Sequence, residues 1–89
     1  MRIKKGFKLR TVGSECIVTG EGLQQIDFNK LISLNKSAAY LWQQVEDKEF
    51  DVQTLAGLLT AKYDIAVVTA LADATEIADE WIKAGIVEE

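Results

Sequence analysis

The sequence has no histidine and no proline, and it has a single cysteine among 89 residues. Without histidine, the chain lacks the commonest general base at neutral pH and the commonest zinc ligand. A lone Cys16 excludes an intrachain disulfide and a cysteine pair for metal or redox chemistry. No phosphate-binding glycine loop, HExxH motif or GxSxG motif is present either. These absences argue against an enzyme, and we expect no metal and no cofactor.

Long hydrophobic runs are also missing. None approaches the roughly 20 residues of a membrane-spanning helix, and no apolar segment follows the basic first six residues, as it would in a secretory signal. Cys16 lies in a strand-like setting without a basic neighbour, which is typical of a small buried thiol in a reducing compartment. We therefore expect a cytoplasmic protein that does not act at a membrane.

The residues that are present have the balance of a small globular domain, with 48% hydrophobic and 27% charged residues. This length predicts one domain, residues 1–89, whose small core leaves little room for a substrate cavity. The net charge of −4 is unevenly distributed, because residues 1–36 carry +4 and residues 37–89 carry −8. Such asymmetry indicates either an interaction surface or two differently solvated faces.

The first part of the chain has the pattern of strands. Residues 7–12 alternate apolar and polar, Gly13 and Ser14 have turn chemistry, and residues 15–19 complete a hairpin. Residues 23–27 predict a loop or an irregular segment, and residues 30–34 a third strand. This third strand lacks the proline or dense charge that blunts an edge, so it could pair with a peptide. It could equally be internal, or covered by a loop.

The rest of the chain has helical spacing. Asn35 and Asp51 are suitable N-caps of two helices, and a third helix runs from about Val67 to Ala84 until Gly85 ends it. Three strands followed by three helices predict a small winged-helix-like α+β domain with a three-stranded antiparallel sheet. Joined helices of this kind can bind DNA. However, the third helix has four acidic residues against the single Lys83, which argues against a DNA-binding helix.

One face of the third helix is broadly apolar. Its members are Val67, Ala70, Leu71, Ala74, Ile77, Ala78, Trp81 and Ile82. This stripe is wide enough to cover the sheet and still leave an apolar margin for a ligand, although all of it could be core.

Residues 27–42, DFNKLISLNKSAAYLW, resemble the signature of the PqqD-like family. The resemblance lies in a strand that ends in Leu34-Asn35, a serine two residues later and an aromatic residue in the first helix. Further matches are residues 50–55, the pair Leu58-Leu59, Tyr63, Asp73 and residues 84–87. The ordered set extends from residue 7 to residue 87.

The resemblance implies a non-catalytic recognition element for a ribosomally made, post-translationally modified peptide. Such a domain binds the leader of the precursor and presents it to a modifying enzyme, such as a radical-SAM protein. The leader pairs with the third strand and lies in a groove against the third helix. Carried over to this chain, the peptide-binding residues are Leu31, Ile32 and Ser33 in the strand, and Leu71, Ala74, Thr75 and Ala78 in the helix.

The resemblance also implies a scaffold role for Leu34, Trp42, Leu55, Leu59 and Trp81. One departure is the helix start Ala66-Val67-Val68, where relatives have a capping or acidic residue, so either the helix start shifts or the valines meet a partner. We expect a monomer or weak dimer without a nucleic-acid partner. The alternative is a protein-interaction or regulatory domain of the same fold that serves another partner.

Overall fold

The structure is a computed structural model that describes residues 1–20 and 31–88. In chain order its elements are β1 (Arg2–Ile3), β2 (Phe7–Val12), β3 (Glu15–Gly20), β4 (Leu31–Leu34), α1 (Lys36–Val45), α2 (Val52–Lys62), α3 (Val67–Ala84) and β5 (Val87–Glu88). The predicted α+β arrangement, with a three-stranded antiparallel sheet followed by three helices, is confirmed. The predicted loop at residues 23–27 and the first residue of the predicted third strand lie outside the described residues.

The three-stranded sheet has the order β2-β3-β4, and both pairings are antiparallel. Its register places Leu9 opposite Val18, and Val18 opposite Ile32. Val18 is fully buried, and its two cross-strand neighbours pack against the same core. Because side chains alternate between the faces of a sheet, this apolar row fixes which face of β4 is turned toward the helices.

A second pairing, which the sequence did not predict, joins β1 to β5 in an antiparallel arrangement. Ile3 lies opposite Val87, and both side chains are buried. The amide of Lys4 donates to the carbonyl of Ile86 at 3.0 Å, which extends the pairing by one bond. The chain segment after α3 is therefore part of the core.

The helix ends follow the predicted capping residues. Asn35 accepts a hydrogen bond from the Ala38 amide at 2.8 Å, and Asp51 forms a reciprocal capping box with Thr54. Gly85 ends α3 in the left-handed conformation, with φ 76°, which a glycine adopts without steric cost. Within residues 1–20 and 31–88, none of the helices is long and apolar enough to cross a membrane.

An aromatic cluster ties α1 to α3 at the centre of the core. Trp42 and Trp81 pack edge to face with ring centroids 5.5 Å apart, and Phe50 meets Trp81 at 6.1 Å. Such contacts contribute about 0.5–1.5 kcal/mol each beyond the area that they bury. They fix α3 relative to the junction between β4 and α1, where the candidate site lies.

Candidate functional site

The outer edge of β4 is the first component of the candidate site. β4 pairs with β3 through Leu31 to Leu34, and no strand from the described ranges pairs with its other side. Backbone N–H and C=O groups alternate between the two sides of a strand, so an edge presents a row of unpaired donors and acceptors. An extended peptide can satisfy that row.

A cavity of about 370 Å³ opens beside the Leu34 end of β4 and is the second component. Asn35 and Ser37, from the start of α1, line it on the strand side. Leu59 and Tyr63, from the end of α2, and Ile65, which follows, line a second side. The third side is α3, which contributes Asp73, Glu76, Ile77 and Glu80. The cavity is therefore bounded by residues of all three helical segments, and Asn35, the residue that follows β4, is its nearest lining residue to the strand.

The α3 wall of this cavity follows from helical geometry. Positions 73, 76, 77 and 80 are spaced by three and four residues, so their side chains lie on one flank of the helix. Ile77 is buried, whereas Asp73, Glu76 and Glu80 are exposed. The flank thus supplies one apolar contact near the core and three carboxylates at the rim.

The predicted strand residues occupy the expected edge. Leu31, Ile32 and Ser33 are three of the four residues of β4, and all three have cross-strand partners in β3. Ile32 packs against the core, and the Ser33 side chain is exposed. Their outer backbone groups remain predicted peptide contacts.

The predicted helix residues lie elsewhere on α3. Ala74 and Ala78 are 0% and 1% exposed and belong to the core, where they allow close packing rather than forming an open groove wall. Thr75 is exposed, and its hydroxyl donates to the Leu71 carbonyl at 2.7 Å. None of these four residues lines the cavity beside β4.

Leu71 lines a different cavity, of about 280 Å³, between α2 and α3. Its other lining residues are Gln53, Ala56, Gly57, Thr60 and Val67. Positions 71 and 75 lie on the flank of α3 opposite to the one that carries positions 73, 76 and 80, because two residues correspond to a rotation of about 200°. Leu71 and Thr75 therefore lie on another flank of α3 than the cavity beside Asn35, and their contact with a peptide stays a prediction.

From the sequence, the acidic residues of α3 argue only against DNA binding and are not predicted to line a site. A usable signal was present, since Asp73, Glu76 and Glu80 enclose the apolar Ile77 at helical spacing. What the sequence could not give is the position of this flank beside the β4–α1 junction. That position depends on the packing of Trp81 against Trp42.

The cavity beside Asn35 is lined by apolar side chains, hydroxyl and amide groups, and carboxylates. Within the described ranges, no group of three or more Asp, Glu, His or Cys side chains is placed to hold a metal ion. Cys16 is a half-buried free thiol beside a third cavity, of about 410 Å³, whose lining includes Ser33 and Lys36. A strand edge near a cavity that has both apolar and charged lining residues can bind an extended peptide through its backbone and one or more side chains.

Comparison with known proteins gives a match to a family model and to a solved structure. Residues 7–87 match the family model described as "Coenzyme PQQ synthesis protein D (PqqD)". No curated protein sequence matches the chain significantly. The solved structure titled "TbiB1 in Complex with the TbiA(beta) Leader Peptide" has a similar fold, with a TM-score of 0.75. The two sequences are 15% identical, and the alignment covers 99% of this chain and 95% of that one.

The family match extends over β2, β3, β4 and all three helices, and it ends at the first residue of β5. It therefore includes β4, whose outer edge no strand from residues 1–20 and 31–88 pairs with, and the residues that line the cavity near it. The chain belongs to the PqqD family.

Proposed function

We propose that this protein is a non-catalytic peptide-binding chaperone for a ribosomally made precursor peptide. The leader of the precursor adds as a strand to the outer edge of β4, and the protein presents it to a modifying enzyme of the radical-SAM type. The observation that carries the proposal is the edge of β4 with a cavity at its Leu34 end. The family match and the leader-peptide complex formed by the structurally similar TbiB1 support it.

The backbone of Leu31, Ile32 and Ser33 forms the ladder with the leader in this proposal. The groove wall is the flank of α3 with Asp73, Glu76 and Ile77, in place of the predicted flank with Leu71 and Thr75. A leader side chain that points toward the helices enters the cavity, while the backbone hydrogen bonds hold the peptide independently of its sequence.

A nuclear magnetic resonance titration tests this binding mode. The probes are synthetic peptides. Each corresponds to the N-terminal half of a peptide encoded by a short open reading frame beside the gene of this protein. We expect one peptide to shift the amide resonances of Leu31, Ile32 and Ser33 together with those of Glu76 and Ile77. Shifts confined to the exposed face of β2 or to the α2–α3 cavity would contradict strand addition at β4.

Proline variants test the ladder itself. Because amides alternate along a strand, one of Ile32 and Ser33 donates toward β3, and the other faces the free edge. Ile32→Pro and Ser33→Pro therefore give one variant with a damaged sheet and one folded variant without an outward donor. Loss of one hydrogen bond, worth about 0.5–1.5 kcal/mol, weakens binding by the folded variant about 2- to 10-fold. Unchanged affinity of the folded variant would contradict the ladder.

A second candidate function is a protein-interaction domain, and the start of α3 is the observation that favours it. Val67 and Val68 are 63% and 79% exposed, and Ala66 gives the helix no side-chain cap. In that case the protein copurifies with a modifying enzyme but binds no leader alone. Val68→Ser would then abolish copurification, whereas under the leading proposal it leaves the affinity for the leader unchanged.

A further inference from the structure

The cavity beside β4 combines an apolar floor with an acidic rim. Leu59, Ile65 and Ile77 supply the floor, and two of these side chains are buried. The volume of about 370 Å³ falls in the range of about 300–1,000 Å³ that is common for ligand pockets. An apolar side chain of a bound peptide fits such a floor, because its burial removes hydrocarbon surface from water.

The rim carries three negative charges and, among residues 1–20 and 31–88, no positive charge. Asp73, Glu76 and Glu80 line the cavity, and no lysine or arginine of the described ranges does so. Three lysines come close in sequence, and none of them lines the cavity. Lys83 follows Glu80 by three residues and lies on the same side of α3. Lys62 sits over the Tyr40 ring, 4.2 Å from its centroid, and Lys36 lines the third cavity. Within the cavity wall the negative charges are therefore not offset, and Lys83 reduces their potential only from outside it.

This charge pattern favours a basic side chain of the peptide over an acidic one. An acidic residue entering the cavity would lie within the Debye length of about 8–10 Å of all three carboxylates and would be repelled. A lysine or arginine would be attracted, and its aliphatic stem can lie along the apolar floor while its charged end reaches the rim. Charge complementarity of this kind discriminates between peptides more than it adds affinity.

Resting on the proposed function, we infer that the leader bound by this protein is a basic amphipathic peptide. Its segment that continues past the Leu34 end of β4 carries a lysine or arginine next to a large apolar residue. The apolar residue occupies the floor formed by Leu59, Ile65 and Ile77. The basic residue pairs with Asp73, Glu76 or Glu80. The β4 edge supplies the affinity that does not depend on sequence, and this cavity supplies the selectivity.

A random-peptide display library tests the inference without knowledge of the natural leader. The library is selected first on the wild-type protein and then, separately, on the variant Asp73→Asn/Glu76→Gln/Glu80→Gln. We expect wild-type binders to be enriched in a lysine or arginine adjacent to an apolar residue, and this enrichment to disappear on the variant. The control variant Glu46→Gln/Asp79→Asn/Glu88→Gln has the same net charge, but its changed carboxylates do not line the cavity. It should retain the enrichment.

The affinity of one selected basic peptide gives a quantitative readout. An exposed ion pair contributes about 0.2–1 kcal/mol, so loss of the rim charges should weaken binding by up to about fivefold. The control variant should change the affinity less than twofold, and added salt should weaken binding to the wild type more than to the rim variant. Equal losses in both variants would overturn the inference, since they would reflect only the overall charge.

The same experiment separates failure of this inference from failure of the proposed function. Selected peptides that shift the amides of Leu31, Ile32 and Ser33 but show no basic preference would overturn the inference and leave strand addition intact. If no peptide perturbs β4, both fail. Circular dichroism spectra that match the wild type show that the two triple variants are folded, because all six positions are exposed.

Discussion

At the scale of single residues, Asn35 has a structural task at the border of the site. It lines the cavities on both sides of the β4–α1 junction, and its side-chain oxygen accepts from the Ala38 amide. Asn35→Ala removes this cap and should lower the free energy of unfolding by about 1 kcal/mol. Urea unfolding measures the change. Asn35→Ser keeps an oxygen at the cap and serves as the control, and an alanine variant as stable as the serine variant would contradict the capping role.

The contribution of Asp51 to the stability of the folded state should depend on pH. The Thr54 backbone amide and then the Thr54 hydroxyl hold the pKa of the Asp51 carboxyl below its ordinary value of 3.8. A carboxyl with a depressed pKa in the folded state stabilises that state when ionised. Its contribution is therefore present above pH 3.8 and is lost as the pH falls through the lower folded-state pKa.

The non-titrating variant Asp51→Asn isolates this effect, because asparagine is also a good N-cap. The difference in melting temperature between the wild type and Asp51→Asn should be constant above about pH 5 and should shift against the wild type below pH 3.8. A difference that stays constant from pH 7 to strongly acidic solution would show that the Thr54 contacts do not depend on the charge.

At the scale of elements, the sequence predicted those features whose signals are local. Asn35, Asp51 and Gly85 mark helix ends through chemistry within one turn, and the alternation of residues 7–12 predicts β2 by itself. The pairing of β1 with β5 was missed, because two-residue strands have no periodicity and their partners lie at opposite ends of the chain. The sequence did not predict the cavity wall at Asp73, Glu76 and Glu80 for a similar reason. The stripe of α3 identifies the buried side of the helix, but only tertiary packing decides which flank adjoins β4.

At the same scale, alanine substitutions at two glycines should change the free energy of unfolding in opposite directions. A Cβ atom added at Gly57, in the middle of α2, or at Gly13, in the hairpin turn, meets no atom within 4 Å. The backbone differs, since Gly13 has a φ of 64°. Gly57→Ala should raise the free energy of unfolding by about 0.5–1 kcal/mol because alanine favours the helix. Gly13→Ala should lower it by about 1 kcal/mol because of left-handed strain.

Urea unfolding of both alanine variants under identical conditions provides the comparison. Each variant controls for the other, since both substitutions add one methyl group to open space and only the backbone conformation differs. Changes of the same sign would contradict the assigned conformations. Gly57 also lines the α2–α3 cavity, so its alanine variant should leave peptide binding at β4 unchanged if the acidic cavity is the binding site.

At the scale of the whole molecule, the core includes residues from both β1 and the segment after α3. Ile86 is fully buried, its amide donates to the Trp81 carbonyl at 3.1 Å, and its carbonyl accepts from the Lys4 amide at 3.0 Å. The residue thus joins the end of α3 to β1 behind the aromatic cluster. Because α3 carries the acidic wall of the cavity, this connection supports the geometry of the site from outside it.

Ile86→Ala tests that connection. Truncation of a buried isoleucine to alanine costs about 2–5 kcal/mol, a large part of the stability of about 5–15 kcal/mol that is common for folded domains. Val12→Ala is the control, since Val12 is 60% exposed and surface substitutions change stability by about 0.5 kcal/mol. Urea unfolding should show the large loss only for Ile86→Ala. Equal stabilities of the two variants would mean that the segment after α3 contributes nothing to the core. A small loss of stability for Val12→Ala and a large loss for Ile86→Ala would show that the segment after α3 stabilises the core against which α3 packs.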